Sequence, residues 1–286
     1  MINNSVVSNV TVIIPCYNDG RYILEAVNSI LNQTLKAEKI IIIDDGSELE
    51  TKNILKKINS NNVEIIYQEN KGVSNARNTG INLATTNYIL TLDADDYFEP
   101  TFIEKSVEIL NNNSNTGIVG CYAKLLKYDE AKPEIGKPLG GKARDFLIKN
   151  NGLASSMFRK ECWEQLSGYD ENMTNGYEDW EFWLSVLRNN WVMYIIPEVQ
   201  YNYRIKKKSR DTVALQEYDF ELRAYIFSKH KELYKEHFDF YATELIRQNS
   251  ILRNNVNKVN KSIDYKIGKL FLIPMRFFKR IVNLKK

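Results

Sequence analysis

The chain of 286 residues is poor in histidine and cysteine. It has two histidines, His230 and His237, and three widely spaced cysteines, Cys16, Cys121 and Cys162. Because zinc sites and Ser-His-Asp triads depend on histidine, two histidines on a predicted helix argue against both kinds of site. The cysteines form no CxxC pair, so we interpret them as reduced thiols and expect a cytoplasmic protein.

Long hydrophobic runs are also missing. No uninterrupted apolar stretch approaches the ~20 residues that a membrane-spanning helix needs. The first apolar run, 10–15, is short and lacks the cationic lead of a signal peptide, so we interpret it as a strand and expect no signal peptide. The formal charge is only +3, with 43% hydrophobic and 26% charged residues. These values are typical of a soluble globular protein, with one large α/β domain plus an appendage or with two domains.

Positive charge is concentrated at the C-terminal end. From Arg253 to Lys286 there are ten lysines and arginines against one acid, Asp264. The tail 268–282 mixes these cations with aromatic residues, which suits a helix lying at a membrane interface. The alternative is a helix packed on the main domain of the chain or on a second subunit. No recognition motif accompanies the charge, so we expect no nucleic-acid partner.

Apolar runs that are typical of buried strands alternate with helical patterns in the first hundred residues. The predicted strands are 10–15, 39–43, 63–67 and 88–92, and the predicted helices between them are 22–35, 50–58 and 73–84. This alternation predicts a doubly wound, mostly parallel Rossmann-like sheet with right-handed crossovers. Further along, 154–158 and 192–196 are predicted strands, 178–188 is a predicted helix, and from about residue 215 the pattern is helical and polar.

The segment Asp93-Ala94-Asp95-Asp96 places three carboxylates in four positions after the strand 88–92. Such crowding is usually held by a cation, and oxygen ligands suit Mg²⁺ or Mn²⁺. The alternative is an acidic turn in which Asp96 is the N-cap of the next helix. The loops 16–19 and 44–47 also follow strands, so all three loops are expected to meet at one edge of the sheet.

Five motifs in this order resemble the family 2 inverting glycosyltransferases, which have the GT-A fold. They lie at 13–18, 44–47, 72–78, 93–96 and 176–180, and the resemblance covers about residues 8–210. It implies a catalytic domain over 1–212, in which 8–100 bind the nucleotide and 101–212 bind the acceptor. A helical, basic extension would follow over 213–286.

The resemblance implies a role for each residue of the donor site. The ring of Tyr17 would stack on the base, and Asp45 would accept a hydrogen bond from the base imide. Arg204 would belong to a mobile segment beyond the last strand and close on the diphosphate. Tyr17 as a core ring and Arg204 in a solvated loop are the alternatives. The other implied donor contacts are Pro15, Asn18, Arg77 and Asp93. Asp93 would bond to the ribose, and Arg77 would lie near the base and the acidic residues. The alternative for Arg77 is a salt bridge on the surface of its helix.

The resemblance also implies the chemistry. Asp95 would ligate Mn²⁺ or Mg²⁺, with Asp93 beside it, and Asp179 would be the catalytic base. Glu178 is the alternative base, or it would orient the acceptor. Trp180 is a candidate for the acceptor pocket.

The predicted function is metal-dependent, inverting transfer of a sugar from a nucleoside-diphosphate sugar, UDP-sugars being favoured. The acceptor would be a hydroxyl of a growing, lipid-linked surface glycan. The chain is also expected to contact the inner face of the plasma membrane peripherally, and a homo-oligomer is considered as well. A nucleotidyltransferase is one alternative, but it usually opens with a glycine-rich phosphate loop, where this chain has Pro15-Cys16-Tyr17-Asn18. An inactive nucleotide-sugar binding module is the other, and the intact acids Asp95 and Asp179 argue against it.

Overall fold

The structure, a computed structural model, describes residues 8–127, 133–206 and 209–272. The chain divides into two compact units, Met1–Glu236 and His237–Lys286. The first unit therefore extends beyond residue 212, where the sequence analysis placed the end of the catalytic domain. That functional boundary stays a prediction.

The first half of the first unit has the predicted alternation of strands and helices. Its elements are β1 (Val10–Cys16), α1 (Gly20–Leu31), β2 (Lys39–Asp45), α2 (Leu49–Leu55), β3 (Val63–Gln68), α3 (Val73–Leu83) and β4 (Tyr88–Thr91). β1 pairs in parallel with both β2 and β4, and β2 pairs in parallel with β3. β1 and β4 are buried along their whole length, which explains why their sequences are continuous apolar runs.

The second half of this unit extends the same sheet. It contains β5 (Tyr97–Phe98), α4 (Phe102–Asn112), β6 (Thr116–Lys127), β7 (Glu134–Gly136), β8 (Met157–Arg159), α5 (Lys160–Glu164), α6 (Glu178–Leu187) and β9 (Val192–Ile205). Within the described residues the strand order is β3-β2-β1-β4-β8-β6-β9-β5, with β7 on β6. β8 runs antiparallel to its neighbours β4 and β6, so the parallel half of the sheet ends at β4.

The last strand is longer than the sequence predicted. We expected a strand over 192–196 and a mobile segment that carries Arg204, but Arg204 lies within β9. The reason is that β9 pairs in parallel with the twelve-residue strand β6 as far as Ile205, with register shifts on the way. Arg204 is therefore held on the sheet, and the interpretation of it as part of a loop beyond the last strand is wrong.

Helix α6 carries the two predicted catalytic acids at its first turn, and it is buried almost all round. Phe182 and Trp183 make edge contacts with Phe158 of β8. On the other side, Glu181 accepts hydrogen bonds from Ser185 and from His230, at 2.7 and 3.0 Å. These contacts fix the start of α6, because the helix has no exposed face along which it could slide.

The first unit ends with α7 (Arg210–Val213), a π-helical turn, α8 (Asp219–Lys229) and α9 (Lys231–Glu236). The second unit begins with the long helix α10 (Phe238–Lys261), none of whose side chains is buried. Ser262 interrupts this helix with an extended backbone, and 263–272 are helical again. Across the described ranges we find no helix that is long and apolar enough to cross a membrane.

Candidate active site

A cavity of about 640 Å³ lies at the carboxyl ends of β1, β2 and β4. This volume is in the usual range for a small-molecule site. The three polar loops that follow these strands all contribute to its wall, through Tyr17, Asp19, Asp45, Asp93 and Asp95. The predicted convergence of the loops at one edge of the sheet is therefore confirmed.

The structure brings together all but two of the residues that the sequence analysis proposed for the site, and the two exceptions are Asn18 and Trp180. Those that line the cavity are Pro15, Tyr17, Asp45, Arg77, Asp93, Asp95, Glu178, Asp179 and Arg204. Asn18 lies beside the cavity wall in sequence but not on it. Its backbone is left-handed, with φ of 58°, its amide donates to Ser47 Oγ at 2.9 Å, and its side-chain oxygen accepts from the Glu48 amide at 2.8 Å. Asn18 thus ties the first loop to the second, and its contact with the donor stays a prediction.

Tyr17 and Asp45 differ sharply in how accessible they are. The Tyr17 side chain is 53% exposed, so the alternative of a packed core ring is wrong. The buried carboxylate of Asp45 accepts from Gln68 Nε2 at 2.8 Å and from the amides of Lys71 and Gly72 at 2.9 Å each. Asp45 therefore closes the turn before α3, where Gly72 has a φ of +86° that favours glycine. Its contact with a base stays a prediction.

Arg77 is the centre of a buried ion network. Its side chain is only 2% exposed, and it donates to Glu178 Oε1 at 3.0 Å and to Asp93 Oδ1 at 2.8 Å. The interpretation of Arg77 as a surface helix charge is therefore wrong. Arg210 donates to the second oxygen of Glu178. Burial opposes the charge on Glu178, but Arg210 and Arg77 outweigh it and hold the pKa of Glu178 below its usual value.

The three acids of the 93–96 segment have three different environments. Asp93 pairs with Arg77, whereas Asp96 is fully buried and accepts from the Tyr201 hydroxyl and from the Arg204 amide. Burial, followed by the charges of Asp95 and Asp93, raises the pKa of Asp96 to about 8. The N-cap interpretation is wrong, because Thr101 precedes α4.

Asp95 is held by a lysine that the sequence analysis did not single out. Lys206 Nζ lies 2.9 Å from Asp95 Oδ2 and 2.6 Å from Asp19 Oδ1. Partial burial disfavours the ammonium, but hydrogen bonds to both acids raise its pKa above the usual value, so it stays charged. Arg204 donates to the carbonyl of Asp95 and pairs with Glu25 at 2.6 Å. The crowded acids are thus balanced by cations of the chain itself.

Asp179 stands next to Glu178 but in the opposite electrostatic situation. Its Oδ2 accepts from Asn150 Nδ2 at 2.7 Å, and Asn150 Oδ1 in turn accepts from the Gly152 amide at 3.0 Å. Burial, followed by the charge of Glu178, raises the pKa of Asp179 to about 7. Neighbouring acids whose environments push their pKa values apart are typical of acid–base sites. Of the two, Asp179 is the one placed to take up a proton near neutral pH.

Trp180 does not line the cavity. It is buried, and its indole nitrogen donates to the Phe146 carbonyl at 2.8 Å. The structure therefore gives no support to an acceptor-pocket role for Trp180.

Sequence reasoning missed several residues that line the cavity, notably Asn150, Lys206, Arg210 and Asp211. Lys206 and Arg210 belong to the basic stretch after β9. The positive charge of this stretch suits contacts with a diphosphate, but it does not indicate which residues make them. Asn150 had no signal of its own, because only the folded chain brings it to Asp179, 29 residues away.

Comparison with known proteins agrees with this geometry. The family model described as "Glycosyl transferase family 2" matches residues 11–162, which is more than half of the chain. Glycosyltransferase GlyG of Streptococcus pneumoniae serotype 4 is 34% identical over 154 residues, covering 53% of this chain and 50% of GlyG. Chondroitin synthase of Escherichia coli is 30% identical over 186 residues, covering 62% of this chain and 26% of the synthase. The chain thus spans half or less of the length of these two relatives.

Among solved structures, residues 1–349 of S. aureus TarS in complex with UDP-GlcNAc superpose with a TM-score of 0.60 and 18% identity, covering 71% of this chain and 60% of that chain. At this identity the likeness concerns the fold. It confirms the predicted GT-A architecture. Together with the family match and the order of the motifs around the cavity, it shows that this chain belongs to glycosyl transferase family 2.

Proposed function

We propose that this protein transfers a sugar, with inversion, from a UDP-sugar to a hydroxyl group of a growing glycan. The observation that carries the proposal is the pair of acids at the start of α6. Glu178 is held ionised by two arginines, while Asp179 faces the same cavity with a pKa of about 7. The TarS complex with UDP-GlcNAc and the name of chondroitin synthase support a UDP-sugar donor and a glycan acceptor.

The chain's own residues supply the parts of an inverting displacement. Asp179 takes the proton of the acceptor hydroxyl while the hydroxyl oxygen forms a bond to the anomeric carbon of the donor. The bond from that carbon to the diphosphate breaks, and its electron pair leaves with the nucleoside diphosphate. Lys206 and Arg204, which line the same cavity, supply positive charge for the leaving group. One carboxylate base is sufficient, because no covalent intermediate forms.

The experiment that tests the proposal is an assay with a panel of UDP-, GDP- and dTDP-sugars and glycan acceptors. We expect turnover with a UDP-sugar, and NMR of the product should show the anomeric configuration opposite to that of the donor. Release of pyrophosphate would instead indicate a nucleotidyltransferase. Binding of donors without turnover in the presence of acceptors would indicate a binding module.

We further propose that Mn²⁺ or Mg²⁺ binds at Asp95. Among the described residues, no group of three or more His, Cys, Asp or Glu side chains is placed to hold a metal. A hard divalent ion often needs only one or two carboxylates, however, because substrate phosphates and water complete its shell. Asp95 and Asp19 already converge on one ammonium group, so they suit a cation. Asp93, the other ligand proposed from the sequence, has one oxygen on Arg77. A bound ion would neutralise charge on the diphosphate.

Replacing Asp95 with asparagine should lower transfer by about 10²-fold or more, because a metal ion contributes several kcal/mol of charge stabilisation. The second measurement is the melting temperature with UDP, with and without Mn²⁺. The wild type should gain stability from Mn²⁺ with UDP, and Asp95→Asn should lose that gain. Full wild-type activity in EDTA would show that the metal proposal is wrong.

Tyr17→Ala should weaken the binding of UDP by about 5- to 150-fold, because stacking of a base on an aromatic ring contributes about 1–3 kcal/mol. The ring is exposed, so its removal leaves the fold intact. Calorimetric titration with UDP checks the prediction, and Tyr67→Ala is a matched control, since Tyr67 is 48% exposed and does not line the cavity. Equal UDP affinity of wild type and Tyr17→Ala would contradict stacking on Tyr17.

Calorimetric titration of Asp45→Ala with UDP tests the contact between Asp45 and the base. The melting temperature of this variant shows whether the turn before α3, which Asp45 closes, has opened.

We also propose that the acceptor is lipid-linked and that the protein meets the inner face of the plasma membrane through its tail. In the described part of the tail, Leu270 and Phe271 are exposed next to Lys269. The remaining tail, 273–286, lies outside the described residues. Sedimentation with anionic vesicles, weakened by salt and lost on truncation after Asp264, is the measurement that checks this contact.

A further inference from the structure

Helix α10 carries an apolar stripe that none of the described residues of its own unit buries. Its seven positions alternate by four and three residues: Phe238, Ala242, Leu245, Asn249, Leu252, Val256 and Val259. The five large apolar side chains among them keep between 42% and 62% of their surface exposed. This spacing is the heptad repeat of a coiled coil, in which two positions of every seven face a partner helix. We define these seven residues as the α10 stripe.

We propose that the α10 stripe pairs with the α10 stripe of a second copy of this chain, in a parallel, in-register, two-stranded coiled coil. This inference is independent of the proposed function.

Asn249 identifies the partner. It lies in the middle of the stripe, with Leu245 on one side and Leu252 on the other, where an amide buried against apolar atoms would lack a hydrogen-bond partner. A lipid surface or an unrelated apolar groove would leave the amide of Asn249 without a hydrogen-bond partner. In a parallel, in-register pair, the same amide of the second copy stands directly opposite and can both donate and accept. A single asparagine of this kind is known to specify register and oligomeric state.

The other residues of the stripe favour the same arrangement. Counting Asn249 as heptad position a, Ala242 and Val256 are also at a. Leu245 and Leu252 are at d, between Phe238 and Val259 at the same position. β-branched residues at a with leucine at d favour two strands over three or four. The positions that adjoin the stripe are mostly polar, as along a coiled-coil seam, with Tyr241 at g and Ile246 at e as the apolar exceptions.

The positions that flank the stripe are compatible with self-pairing. In a parallel dimer each g residue faces the e residue five positions further along the partner. Gln248 would then face Arg253, and Asn255 would face Asn260. Neither pair brings like charges together, so nothing along these edges opposes the association of identical helices.

Helix α10 is long enough to form a two-stranded coiled coil, but only a short one. Its 24 residues correspond to about 36 Å and to about three and a half heptads. Ser262 ends the regular helix, so the seam stops there. Such a short seam predicts a dimer that dissociates on dilution.

The test is the mass of the full chain in solution, measured by analytical ultracentrifugation over a range of concentrations. We expect the wild type to approach twice the 33.3 kDa of one chain as the concentration rises. Leu245→Glu combined with Leu252→Glu should remain monomeric, because four carboxylates would meet in the seam. The matched control adds the same charges outside the seam, through Ser250→Glu and Asn254→Glu, and it should still dimerise.

A cross-link tests the register and does not depend on a destabilising change. Asn249→Cys should form a disulfide-linked dimer under mild oxidation, since equivalent a positions face each other only in a parallel, in-register pair. Asn254→Cys on the outer side should not, and the native cysteines are buried. A monomeric wild type at all concentrations overturns the proposal, whether or not it binds anionic vesicles. A dimer that survives the two glutamates in the seam, or Asn249→Cys without a cross-link, also overturns it.

Discussion

Replacing Asp179 with asparagine should lower kcat by about 10²–10⁴-fold, the usual contribution of a general base. The affinity for UDP should change little, because the motifs assigned to the nucleotide lie on other elements, at the ends of β1, β2 and β4. Asparagine keeps the shape of the side chain and its contact with Asn150, so the loss reports the missing proton acceptor. Steady-state kinetics together with UDP titration separate the two effects.

The same residue should determine the acid side of the pH profile. A base works only when it is unprotonated, and burial together with the charge of Glu178 raises the pKa of Asp179 to about 7. Transfer by the wild type should therefore fall as the pH is lowered through about 7, and the residual rate of Asp179→Asn should lack this step. If Glu178→Gln is inactive while Asp179→Asn is active, the base has been assigned to the wrong acid.

Replacing Arg77 with methionine should lower the free energy of unfolding by about 3–5 kcal/mol, the typical effect of removing one partner from a buried ion network. Two acids would lose their contacts with it, Glu178 and Asp93, while methionine fills much of the space. Since Glu178 begins the helix that carries Asp179, transfer should also fall. Urea unfolding followed by circular dichroism measures the first effect.

Two further variants make the Arg77 experiment specific. Lys39→Met removes an exposed ion pair with Glu64, and it should cost no more than about 1 kcal/mol. Combining Arg77→Met with Asp93→Asn should recover part of the lost stability, because Asp93 is the acid that pairs with Arg77 alone among the ion pairs described, and its uncompensated carboxylate is then gone. A loss of less than about 1 kcal/mol in Arg77→Met would show that the network contributes little to the fold.

The amino-acid sequence was sufficient to predict the parallel half of the sheet and the edge of the sheet where the site lies. Strands buried on both faces require continuous apolar runs, such as 10–15 and 88–92, and the helical patterns between them require parallel connections. Parallel connections place the carboxyl ends of neighbouring strands at one edge, so Tyr17, Asp45 and Asp93 had to meet there. Local spacing also placed Glu178 and Asp179 at the start of a helix.

The charge state of these groups and their contacts depend on the folded chain. Arg77 meets Glu178 across 101 residues of chain, and Tyr201 meets Asp96 across 105. The ionisation of an acid depends on its burial and on the charges within a few ångströms, and the residues next to it in the sequence determine neither. The opposite pKa shifts of Glu178 and Asp179, the lysine between Asp19 and Asp95, and the position of Arg204 within β9 therefore became visible only in the folded chain.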